Sequence, residues 1–83
     1  MDLEKLALGI VTISHARLDE LRERACKEGK DFHCLVAVEA MGLMDADADL
    51  RVTPGQRNAA KQGLFMYLYG VSDPEKIKRI LSS

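Results

Sequence analysis

Apolar and small residues recur near the start of the chain at Leu3, Ala7, Ile10, Ser14, Leu18, Leu21 and Ala25. Their spacing averages about 3.7 residues, which is a helical period. Leu6 and Ile13 widen this stripe to that of a core-facing helix. Asp19, Glu20, Arg22, Glu23, Arg24 and Lys27 fall mostly off it, and Glu20 and Glu23 each stand four residues ahead of a base. Gly29 supplies the left-handed residue that commonly ends a helix. The pattern predicts one helix over approximately residues 2–28. The β-branched stretch in residues 9–14 also admits a strand, or a break with Ser14 capping a shorter helix. The unbroken period favours the continuous helix.

A second helix is predicted over residues 31–44, capped by Asp31 and carrying Phe32, Leu35, Val36, Val38, Met41 and Met44. Its polar interior residues are His33 and Glu39, and a helix apolar on nearly every side belongs in an interior. Residues 45–52 break the pattern with aspartates and alanines and read as a connection. Thr53-Pro54-Gly55-Gln56 then combines a capping threonine, a proline at the first helical position and a glutamine that completes a capping box. The third helix runs over 54–69, and its second half, Leu64-Phe-Met-Tyr-Leu-Tyr69, is large and apolar or aromatic on all faces. Ser72-Asp73-Pro74-Glu75, a Ser-x-x-Glu capping box, opens a short fourth helix, 73–81, with Ile77, Ile80 and Leu81 on one side. The expected fold is all-α, a single domain of three to four helices over residues 1–83 in a small bundle.

Composition agrees with a folded core. Leu, Ile, Val and Phe account for 22 of the 83 residues, above the level typical of disorder. The longest apolar run, Leu6 to Val11, is far short of the roughly 20 residues a bilayer requires. Cys26 and Cys34 stand in a chain whose start lacks the features of a secretory signal, so a reducing cytoplasm and free thiols are expected.

The net charge of -1 excludes the overall basic excess typical of phosphate binders. It conceals a gradient: residues 1–30 are neutral, 31–52 carry -4 and 53–83 carry +3. The positive segment includes Arg57 and Lys61, and Gln56-Arg57-Asn58 opens a helix as a major-groove reader does. The long connection before it fits a helix-turn-helix poorly, so nucleic acid is not the expected partner.

Candidate chemistry is sparse. Asp45, Asp47 and Asp49 alternate like the start of a calcium loop, but Leu50 replaces the turn glycine and Gln56 the bidentate glutamate. His15, Cys26, His33 and Cys34 follow no zinc spacing. His15 and Asp19 are four apart without a placed nucleophile, and the glycines form no phosphate loop. The sequence therefore assigns no catalytic, cofactor or metal residue.

What the pattern does imply is association. A continuous helix of about 25 residues would be roughly 38 Å long, more than the roughly 30 Å across a domain of this size. Two helices apolar on nearly all faces compete for one interior. Leu3, Leu6, Ile10, Phe65, Met66 and Tyr69 are the residues expected to meet a second copy or to cover the last helix. The expected function is that of a cytoplasmic helical module acting by association as a homodimer: an adaptor, regulator or accessory subunit. The alternatives are a metal or ligand site between helices or chains, using His15, His33 and the Asp45 to Asp49 loop, and a nucleic-acid-binding regulator using Arg57 and Lys61.

Overall fold

A computed structural model describes residues 3–43 and 48–82. Among them the chain forms five α-helices and one 3-10 turn, with no strand: α1 (Leu3–Thr12), α2 (His15–Glu28), α3 (Phe32–Met41), the turn Ala48–Arg51, α4 (Pro54–Leu68) and α5 (Pro74–Leu81). The all-α expectation holds. The helix count does not, because the predicted first helix is two helices.

The break lies at Ile13 and Ser14. Ser14 has extended backbone geometry, and its hydroxyl accepts the Arg17 amide at 3.1 Å, so it is the N-cap of α2. The residue that extended the apolar stripe is the one that ends the helical run. Thr12 closes α1 by donating its hydroxyl to the Gly9 carbonyl at 2.7 Å. With α1 at ten residues, no long helix overhangs the domain, whose extents are 33 × 25 × 17 Å.

The remaining boundaries follow local chemistry. Asp31 caps α3 through the Cys34 amide. That helix ends at Met41 rather than residue 44, because Gly42 takes a left-handed conformation with φ 70°. Thr53 and Gln56 make the reciprocal capping box of α4. Its last helical residue is Leu68, with Tyr69 as C-cap and Gly70 at φ 95°. α5 begins at Pro74, capped by Asp73 through the Glu75 amide instead of by Ser72.

α1 is the central element, packing against α3, α4 and α5. Its residues Leu6, Ala7 and Ile10 are completely buried. Close approach to α3 is possible because residue 9 is glycine: a methyl there would fall on the Ala40 backbone. Gly63 plays the matching part on α4, where an added methyl would stand 2.7 Å from Ile10 Cδ1. The apolar α3 is enclosed as its sequence implies, with no exposed residue between Phe32 and Met41.

α2 packs on α3 and closes one side of the same core. Leu18, Leu21 and Ala25 face inward, while Arg17 makes two 3.0 Å bonds to Glu39 of α3 and a third, of 2.9 Å, to Glu20. The i+4 pairing within α2 is partly shifted from expectation: Lys27 meets Glu23, but Arg24 bonds Glu28. Lys30 reaches Asp49 at 3.1 Å and so ties the end of α2 to the 3-10 turn.

Candidate functional site

The most prominent unfilled surface is the outer face of α4. Helical geometry places Lys61, Phe65, Leu68 and Tyr69 at steps of four, three and one, along one side. Gly63, Leu64, Ala59 and Ala60 occupy the opposite side and are buried. Phe65 is 61% exposed, Tyr69 75% and Leu68 49%. The Phe65 and Tyr69 rings pack on each other with centroids 4.6 Å apart, so they form a continuous aromatic ridge.

A groove flanks each side of the Lys61 to Phe65 ridge. One, of about 280 Å³, is bounded by Lys61, Gln62, Phe65, Met66 and Ile80 of α5. The other, of about 290 Å³, is bounded by Arg22, Phe32, His33, Lys61, Leu64, Phe65 and Leu68. A helical ridge between two grooves is the relief that helix packing uses.

Of the residues expected at an interface, Phe65 and Tyr69 lie on this face and half-buried Met66 lines its groove. Leu6 and Ile10 are wholly inside the chain, on the helix that packs against the last helix, α5, as well as against α3 and α4. Half-buried Leu3 packs against the core. The periodicity of α1 marked an apolar stripe correctly but could not say whether the same chain covers it. Leu68 and Ile80, 48% exposed, are the members missed. Their signal was apolar residues left over once Leu64 and Ile77 had supplied the buried side of each helix.

Among the described residues the metal candidates do not assemble. His15 lies over the Tyr67 ring at 5.8 Å, whereas His33 packs beside Phe32 at 5.6 Å. Asp49 is held by Lys30; Asp45 and Asp47 lie outside the described residues. Among those described, no three His, Cys, Asp or Glu side chains converge as a metal site. Cys26 and Cys34 are free thiols. Burial and the charge of Asp31 push the Cys34 thiol up, which disfavours the reactive thiolate.

The basic half is also partly committed. Arg57 bonds Asp31 at 2.9 Å, and Gln56 is consumed by the cap of α4. Burial by itself raises the Asp31 carboxyl, but the Cys34 amide and Arg57 outweigh it and leave the group below its ordinary value. The Glu39 carboxyl is lowered chiefly by its hydrogen bonds from Arg17, against an opposing contribution from burial. Burial also lowers the His33 imidazole, reinforced by Arg57 and Lys61 and opposed by Asp31.

Among the described residues no helix is long and apolar enough to cross a membrane. Comparison with protein-family models, curated proteins and solved structures finds no match to this chain.

Proposed function

We propose that this chain acts by association, as a homodimeric helical module that serves as an adaptor, regulator or accessory subunit in the cytoplasm. The observation that carries this is the Phe65, Leu68 and Tyr69 face, an aromatic and aliphatic ridge left uncovered by a chain that leaves no residue of α3 fully exposed. Contiguous exposed apolar surface of this kind marks an interaction site. Large aromatic side chains are also the residues that dominate association energetics.

A second copy is the occupant we favour because the face suits itself. Two α4 helices crossing antiparallel at Phe65 would set Lys61 of each copy beside Tyr69 of the other, a cation against an aromatic ring. The ridge of each would enter a groove of its mate. A cytoplasmic setting agrees with the two unpaired cysteines.

Light scattering coupled to gel filtration tests this directly. The dimer has twice the 9.2 kDa chain mass, and Phe65→Asp or Tyr69→Asp converts it to monomer with unchanged helicity. A wild-type chain that elutes as a monomer across the micromolar range overturns the proposal.

A further inference from the structure

The groove between α2, α3 and α4 differs from its neighbour in its chemistry. Three nitrogen-bearing side chains border it, each from a different helix: Arg22 from α2, His33 from α3 and Lys61 from α4. Its apolar wall consists of Phe32, Leu64, Phe65 and Leu68, and among the described residues no acidic side chain lines it. Leu64 is buried at its base, while Phe65 and Leu68 stand exposed at its border.

The cations are available. Lys61 has no ion-pair partner among the described residues. Arg22 meets Asp19 only at 3.7 Å, between two exposed side chains, an arrangement of little energetic weight. Its guanidinium stands 5.2 Å from the centre of the Phe32 ring, so an aromatic surface holds the charge beside the cleft. Arg57, by contrast, is spent on Asp31.

We propose that this cleft is a binding site for a small aromatic carboxylate, its ring against Phe32 and Phe65 and its carboxylate between Arg22 and Lys61, with His33 alongside. The volume of about 290 Å³ suits a ligand of one or two rings, at the small end of ordinary ligand pockets. Aromatic walls favour a planar apolar body. A guanidinium only weakly engaged by Asp19 and an ammonium with no ion-pair partner among the described residues supply the complementary charge. The site is complete within one chain, so it does not rest on the dimer, although it shares Phe65, Leu68 and Lys61 with the association face.

His33 reports occupancy. Its imidazole is depressed by burial and by Arg57 and Lys61, with Asp31 opposing; Arg22 also faces the cleft. A bound anion adds a negative charge beside the ring and therefore raises its pKa. The other histidine, His15, sits on Tyr67 outside the cleft lining and serves as the internal control.

The experiment is a proton NMR titration of both histidines with 1-naphthoate, and with neutral 1-naphthamide for comparison. The expected result is a saturable shift and a raised pKa at His33, with His15 unmoved. Binding should weaken by about tenfold when the probe's charge is removed, and by a similar factor in Arg22→Gln or Lys61→Gln, as loss of a charge-assisted contact implies. Both substitutions are at exposed positions, and an unchanged His15 signal certifies the fold. No saturable change at millimolar probe, equal binding of the amide, or indifference to both substitutions would overturn the site. Light scattering on the same samples reads association separately: a wild-type monomer that binds naphthoate removes the dimer and leaves the cleft.

Discussion

The Tyr67 hydroxyl donates a 3.0 Å hydrogen bond to the carbonyl oxygen of Ile13, across fifty-four positions of sequence. Ile13 lies between α1 and α2, where the chain leaves one helix before Ser14 starts the next. The bond thus joins the interhelical break to the last turn of α4, and the Tyr67 ring supports His15 on the far side of that break. Tyr67→Phe keeps the ring but removes the donor from a partly buried carbonyl. Chemical denaturation should show a loss of about 1 kcal/mol, with the slope on denaturant unchanged.

A larger cost is expected at Gly9. The α1 to α3 contact leaves no room for a side chain, because the first added carbon meets backbone atoms of Ala40, which cannot rotate aside. Gly9→Ala should cost about 1–3 kcal/mol or more, as overpacking does, despite the better helix propensity of alanine. Gly63→Ala is overcrowded only by the flexible end of Ile10, with Ile77 and Leu81 at ordinary contact distance, so it should be the milder of the two in parallel thermal melts.

Phe65 and Leu6 shared one sequence expectation and should now part company. Phe65→Asp alters an exposed side chain, and monomer stability at low concentration should move by no more than about 0.5 kcal/mol. Leu6→Ala empties a fully buried position in the central helix and should cost about 2–5 kcal/mol. Equal effects in urea titrations would contradict the placement of both.

Stability should decline as the solution is acidified, in two stages. The folded-state pKa of His33 lies below its ordinary 6.5, because burial disfavours the charged ring. Its contribution is therefore complete above that value and is lost as pH falls through the folded pKa. Glu39 and Asp31 are likewise lowered, from 4.5 and 3.8, and their contributions disappear as pH falls through their folded values. All three have the same sign. Melting temperatures measured from about pH 8 to pH 3 should show the upper stage vanish in His33→Gln and the lower one shrink in Glu39→Gln. A profile flat from neutrality to the carboxylate range would contradict the burial of His33.

Features that depend on neighbouring residues are legible in the chain alone. Asp31 and Thr53 announced helix starts because a side-chain oxygen need only reach an amide two or three positions away. Gly29 announced a helix end because left-handed backbone favours a residue without a Cβ. The enclosure of α3 was legible too, since a helix without a polar face has nowhere else to go.

Tertiary structure decided the rest. Ser14 fits either the small side of a continuous stripe or the cap of a new helix, and these differ little in local terms. The turn lets α1 lie centrally among α3, α4 and α5 while α2 packs on α3, with Tyr67 donating to the part-buried Ile13 carbonyl at the junction. The same holds for the candidate interface. Leu6, Ile10, Phe65 and Tyr69 all advertise apolar surface, but only the packing of α1 between its neighbours buries the first two and leaves the others on the outer face of α4. Periodicity tells which residues share a face; what covers that face is set by helices distant in sequence, whose approach depends on the backbone clearance at Gly9 and Gly63.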